Sequence, residues 1–388
     1  LRFNAFFLLL IEVIAMLNQG CASVSEQPET VHWPKIAGID RAMQAFVDRG
    51  ELSGAVTLVA DRQRILHLSA VGQRDVKHHL PMRTDTIFWI ASMTKLMTST
   101  AVMMLQDEGK LSIDDPASKY IPEFDGLKTP SGKPANLTLR QLLTHTSGLA
   151  EAPRDVMFKA RTLAELIPFY LDRPTSFEPG KKWDYCQSGI NTLGRIIEIV
   201  SGESYADFLQ HRLFDPMGLK DATFYPSDEQ LQRLAQSYVL KRGRLERIQI
   251  DRPVGIRKHF PAANGGLFCT AGEYCRFCQM LLNGGTLDGR RYLSAESIHE
   301  MTSVQTDGLK AGFVPGSGWG LAFGIVREPQ GIAATLSPGT YGHGGAYGTQ
   351  AWIDPVKGRI YILLIQRGDL DNADNCKFRQ AFQEAAAQ

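Results

Sequence analysis

The sequence has no surplus of charge of either sign. Forty-two Lys and Arg stand against forty-one Asp and Glu, a formal net charge of +1 over 388 residues. Proteins that grip a phosphate backbone or an anionic membrane surface carry a basic excess, so nucleic acid and anionic lipid are both dropped as partner classes. Cysteine is scarce as well. Cys21, Cys186, Cys269, Cys275, Cys278 and Cys376 show no disulfide framework, and the single CxxC formed by Cys275 and Cys278 lacks the second ligand pair of a zinc site. Those two thiols are expected one turn apart and buried on a helix. The sequence also has no HExxH, no Walker A loop, no dinucleotide-binding glycine pattern and no GxSxG. No metal and no nucleotide cofactor is expected.

What is present is the composition of a globular chain, 44% hydrophobic and 21% charged, long enough for one large domain or two interleaved ones. Residues 1–22 read as an export signal: Arg2, an apolar run, then Gly20 before Cys21, the pattern of a bacterial lipoprotein signal. Glu12 interrupts the run, and Asn18 and Gln19 depart from that pattern. The expectation is an exported protein, periplasmic or anchored to the membrane through a lipid on Cys21. The competing reading is a buried N-terminal helix of a cytoplasmic protein.

Ile36, Ile39, Met43, Phe46 and Val47 mark an amphipathic helix between His32 and Asp48, and Gly54–Ala60 with Ile65–Val71 read as an antiparallel hairpin. Helical periodicity dominates the middle, over Leu137–Leu143, Leu163–Leu171, Ile190–Ser201, Tyr205–Leu213 and Ala271–Leu282. Strand patterns return at Gly320–Val326, Gly348–Ile353 and Arg359–Ile365, followed by a helix over Ala373–Ala387. Strands at both ends with helices between them predict an α+β fold. Residues 32–95 and 300–388 form a mixed antiparallel sheet flanked by helices, residues 96–299 an inserted, mostly helical domain, and the site lies where the two meet.

Three stretches carry chemistry. Ser92 and Lys95 open a helical pattern after the apolar segment Ile87–Ile90, and a spacing of three puts both on one helix face. The lysine amine then reaches the serine hydroxyl, which needs a base to become a nucleophile, and free N–H groups at the helix start favour an oxyanion. Against this stands a plain polar cap with a solvated lysine. Tyr185 follows Pro179-Gly180 and precedes a helix, and a cation such as Lys95 beside it favours the phenolate and a role as base; the alternative is a core aromatic with a wet hydroxyl. The glycine-rich run Tyr341-Gly342-His343-Gly344-Gly345-Ala346 suits backbone that comes close to a ligand, with the Ala346 N–H beside that of Ser92, or else His343 is a lone structural histidine.

In this order, Ser92-x-x-Lys95, Tyr185-Cys186-Gln187 and His343-Gly344-Gly345 resemble the serine β-lactamase and penicillin-binding-protein superfamily. The likeness is closest to the class C-like branch that includes family VIII carboxylesterases. Leu142–Leu149, Pro216-Met217-Gly218-Leu219 and Gly265-Gly266-Leu267 extend it over roughly residues 35 to 385. The resemblance implies a β-lactamase/transpeptidase-like fold and an acyl-enzyme on Ser92. Lys95 and Tyr185 move its proton, and the N–H groups of Ser92 and Ala346 form the oxyanion hole. Gln187 stands where penicillin-recognising members carry Asn, and His343-Gly344-Gly345 where they carry Lys-Thr-Gly; all four residues are expected to bind substrate. A largely neutral histidine supports a β-lactam carboxylate less than lysine does, which points to a small-molecule ester as substrate. The alternatives are a β-lactamase, a D-alanyl carboxypeptidase or amide hydrolase, and, in a different class, a binding or sensory module without turnover. Cys186, next to the proposed base, is expected to make the site sensitive to oxidation.

Overall fold

The computed structural model describes residues 36–249 and 259–387. The export-signal segment and Cys21 lie outside the described residues. Helix α1, Ala37–Asp48, buries Ile39, Met43 and Phe46 at the spacing the periodicity predicts. Strands β1 (Gly54–Ala60) and β2 (Ile65–Asp75) form the expected hairpin, with β3 (Leu80–Pro81) added at its edge. β4 (Phe88–Trp89) leads into α2 (Thr94–Asp107), and α3 spans Gln187–Ser201. The middle of the chain also holds the hairpin β5 (Ser237–Lys241) and β6 (Arg244–Ile248), the two-residue strand β7 (Phe268–Cys269), helix α4 (Ala271–Leu282) and the small hairpin β8 (Thr286–Leu287) and β9 (Arg290–Arg291). The C-terminal part supplies β10 (Ser317–Trp319), β11 (Gly324–Val326), β12 (Tyr341–Gly344), β13 (Gln350–Asp354), β14 (Arg359–Leu364) and α5 (Lys377–Ala386).

The main sheet has eight strands in the order β10-β11-β12-β13-β14-β1-β2-β3, each pair antiparallel. The two ends of the chain are joined by β1 against β14, with Val56 opposite Leu364 and Ala60 opposite Ile360. Because side chains alternate along a strand, β14 and the residue after it serve two layers. Ile360, Ile362 and Leu364 face the larger core with α2, whereas Tyr361, Leu363 and Ile365 face a second core built with α1 and α5. Helices cover both faces, so all seven residues of β1 are buried.

Four expectations need correction. Gly320–Val326 is not one strand: β10 and β11 are joined by a turn in which Gly320 donates to the Phe323 carbonyl and Ala322 has φ +66°. A side chain at Gly320 would run into the Met301 carbonyl, so the backbone there is pressed against a neighbouring helix. The C-terminal helix begins at Lys377, four residues late, because Cys376 is extended at φ −111°, ψ 150° and only a short 3₁₀ turn, Ala373–Asn375, precedes it. Leu163–Leu171 breaks into a 3₁₀ turn and the single turn Ile167–Tyr170, and Tyr205–Leu213 changes to wider π-type bonding from Gln210. Cys275 and Cys278 lie buried on α4, as their spacing requires.

Phe378 of α5 stacks edge-on against Phe46 of α1 at 4.8 Å and is 1% exposed. Phe378→Ala is expected to lower unfolding free energy by about 3–5 kcal/mol in guanidinium titration. Val356→Ala, at a position 73% exposed, should change it by less than about 0.5 kcal/mol.

Candidate active site

The approach to Ser92 is fixed before the helix begins. β4 pairs with β7, Phe88 opposite Cys269, and Ile90 donates to the Leu267 carbonyl at 3.0 Å. Ala91 then turns at φ +46°, a left-handed conformation that costs a non-glycine residue about 1–3 kcal/mol and persists only where surroundings enforce it. They do so through side chains. Thr94 Oγ1 donates to the Ala91 carbonyl at 2.7 Å and accepts from the Leu267 N–H at 3.1 Å, while Tyr274 Oη donates to the Met93 carbonyl at 2.9 Å. Ser92 therefore lies in a 3₁₀ turn, Ala91–Met93, just ahead of α2, and not in its first α-helical turn.

Lys95 is the second residue of α2 and is completely buried. Its Nζ lies 3.1 Å from Ser92 Oγ, 2.8 Å from Gln187 Oε1 and 2.6 Å from the Asn264 carbonyl, one acceptor for each ammonium proton. Loss of water pushes its pKa down from 10.5 to about 7, with the Glu151 carboxylate acting in the opposite sense. A neutral amine has two hydrogens and one lone pair. The two shorter contacts retain the hydrogens, and the lone pair faces Ser92.

Tyr185 enters from the loop before α3. Its ring centroid is 4.7 Å from the Lys95 Nζ and its hydroxyl is 3.3 Å from His343 Nε2. The expected stabilisation of the phenolate by Lys95 is outweighed: burial raises the Tyr185 pKa, opposed by hydrogen bonds with Ser92 and Gln187. The resting residue is a phenol. His343 Nδ1 lies 2.5 Å from the Gly344 carbonyl, which can only accept, so Nδ1 carries the proton and Nε2 accepts from Tyr185. Burial and the Lys95 charge hold the His343 pKa down at about 3, keeping the ring neutral.

The glycines after His343 are required by contact. A Cβ on Gly344 would run into Asp374 Oδ1, and one on Gly345 into Thr349 Oγ1 and, at 2.6 Å, the Ile90 carbonyl, so this strand end lies directly against the Ser92 elbow. Ala346 follows on the exposed side, and Ser92, Ala346, Gln187, Asn264, Trp89 and Phe260 help line one cavity of about 460 Å³. Among the described residues, no acceptor takes the backbone N–H of Ser92 or of Ala346. Tyr185 does not line this cavity.

All the predicted side chains converge, and two the sequence reading missed join them. Asn264 Nδ2 donates to Gln187 Oε1 at 2.9 Å, so that oxygen is held by two donors. Glu151 accepts from the N–H groups of Gln187 and Ser188 at the start of α3. The position of Asn264 just before Gly265-Gly266 offered a signal; nothing marked Glu151. Cys186 is corrected: its thiol is buried, bonds to Ser188 Oγ at 2.8 Å and the Leu149 carbonyl at 3.4 Å, and is pushed up to about 12. Such a thiol is a poor target for oxidation.

Comparison with known proteins places the whole chain in a family. The family model described as Beta-lactamase matches residues 39–385. Protein Rv1367c of Mycobacterium tuberculosis is 35% identical over 359 residues, covering 85% of this chain and 89% of that protein. Esterase EstB of Burkholderia gladioli is 27% identical over 361 residues, covering 84% and 89%. Among solved structures, EstCE1, a hydrolase with promiscuous acyltransferase activity, superposes with a TM-score of 0.78 at 22% identity, over 91% of this chain and 98% of its own. The chain belongs to the beta-lactamase family and is a serine hydrolase of the β-lactamase and penicillin-binding-protein superfamily.

Proposed function

We propose that the protein hydrolyses carboxylic esters through an acyl-enzyme on Ser92, and the observation that carries the ester reading is the buried, neutral His343. A lysine in its place would offer a cation to a β-lactam carboxylate; a ring with its pKa held down at about 3 offers none at neutral pH. Instead it orients the Tyr185 hydroxyl. The similarity to an enzyme named as an esterase supports the same reading.

The groups divide the proton work by their environments. Neutral Lys95 takes the Ser92 proton as Oγ attacks the ester carbonyl, and the N–H groups of Ser92 and Ala346 receive the oxyanion. The phenol of Tyr185 protonates the departing alkoxide. The acyl-enzyme then holds a phenolate with the Lys95 ammonium 4.7 Å from its ring centroid, so the cation stabilises the phenolate at this stage. The phenolate removes a proton from water, the hydroxide attacks the acyl carbon, and Lys95 returns its proton to Ser92. Ester and water give acid and alcohol, and every group ends as it began. The cavity lined by Ser92, Gln187 and Ala346 is the space this reading gives to the acyl part.

Nitrophenyl butyrate hydrolysis should be abolished in Ser92→Ala, while nitrocefin is turned over at least about a hundredfold more slowly than the ester by wild type. A nitrocefin rate equal to the ester rate would overturn the ester assignment. The pH profile follows from Lys95: a protonated amine cannot accept the Ser92 proton, so kcat/KM should fall as pH drops through about 7. A profile flat between pH 6 and 8 would remove Lys95 as base.

A further inference from the structure

Helix α3 starts without a cap of its own. Cys186, at the N-cap, is extended at φ −130°, ψ 128°, and its side chain makes no capping bond. The first N–H groups of a helix need an acceptor, and here it comes from 36 residues earlier in the chain. Glu151 receives the Gln187 N–H in a short contact and the Ser188 N–H at 3.2 Å. From that same first turn, Gln187 Oε1 reaches Lys95.

We propose that Glu151 is a positioning residue of the hydrolytic site, holding the first turn of α3 so that the Gln187 amide meets Lys95 and setting a negative charge near the Lys95 amine. The proposal rests on the reading of Ser92 as nucleophile and Lys95 as base. The geometry is supported by the residues just before that turn. Asp184 donates to the His145 carbonyl at 2.9 Å, and the Cys186 N–H donates to His145 Nδ1 at 3.2 Å. The backbone on either side of Tyr185 is thus fixed by residues 145 and 151, and the helix macrodipole further favours an anion at this end of α3.

The remaining ionisable groups around Lys95 leave the anionic role to Glu151. Burial raises Tyr185 and Cys186, which keep their protons, and lowers His145 and His343, which stay neutral. Asp374 acts on Tyr185. Glu151 itself is raised by burial, opposed by its two N–H partners and by Lys95. Its carboxylate favours the protonated amine, so without it Lys95 loses its proton at lower pH.

The test compares wild type with Glu151→Gln, Glu151→Asp and Glu151→Ala in nitrophenyl butyrate hydrolysis from pH 5 to 9, with circular dichroism melts to establish folding. In Glu151→Gln the acid limb of kcat/KM should move to lower pH, with kcat at pH 8 reduced about tenfold by the weakened cap. Glu151→Asp should restore the wild-type limb. A Glu151→Gln or Glu151→Ala enzyme that folds and keeps both the wild-type limb and kcat overturns the proposal. So does a uniform loss of rate with an unmoved limb and a lower Tm, which would make Glu151 a helix cap and nothing more. Ser92→Ala, run alongside, separates this from the hydrolase reading: if wild-type activity persists in Ser92→Ala, that reading fails, whatever Glu151 does.

Discussion

Everything at the site depends on one amine held out of water. A drop in the Lys95 pKa from 10.5 to about 7 corresponds to about 5 kcal/mol against its charged form, an effect that water would erase. The protein excludes it by burying α2 on all sides. Each residue from Thr94 to Leu105 is covered, by α3, by the Asn264–Leu267 segment and by the sheet. Three acceptors around Nζ satisfy its hydrogens in the protonated form, so the residue can titrate without leaving a buried donor unpaired.

The same exclusion of water acts on Tyr185 in the opposite sense, raising an acid where it lowers a base. Two groups that would differ little in solution in their affinity for a proton are thereby separated into an acceptor for the first step and a donor for the second. His343 contributes by remaining neutral: with Nδ1 committed to the Gly344 carbonyl, its free nitrogen can only receive the tyrosine proton. Gly345 is what allows this strand to reach the elbow, because a side chain there would collide with the Ile90 carbonyl that precedes Ser92.

The fold was legible where periodicity is strong. The β1–β2 hairpin, β13, β14, α1 and α4 fall within a few residues of where alternating or helical patterns place them. It was illegible where a distant neighbour decides: Gly320 turns because Met301 lies against it, and the last helix starts late because Cys376 is extended. The site followed the same division. Ser92, Lys95, Tyr185, Gln187 and His343 stand in ordered motifs that resemble a known superfamily, so their convergence could be anticipated. Glu151 and Asn264 act through bonds spanning 36 and 77 positions, which no local pattern records. The phenolate expectation failed for a related reason: burial, which raises the Tyr185 pKa, is set by tertiary packing that the sequence does not display.

The most direct measurement is the titration of Lys95 itself, by NMR of protein carrying isotope-labelled lysine, with Lys95→Arg to assign the resonance. The account predicts a midpoint near 7 for this one lysine, well below the ordinary lysine value. A Lys95 midpoint near 10.5 would mean that the amine stays protonated at neutral pH, and Lys95 would no longer serve as the base for Ser92.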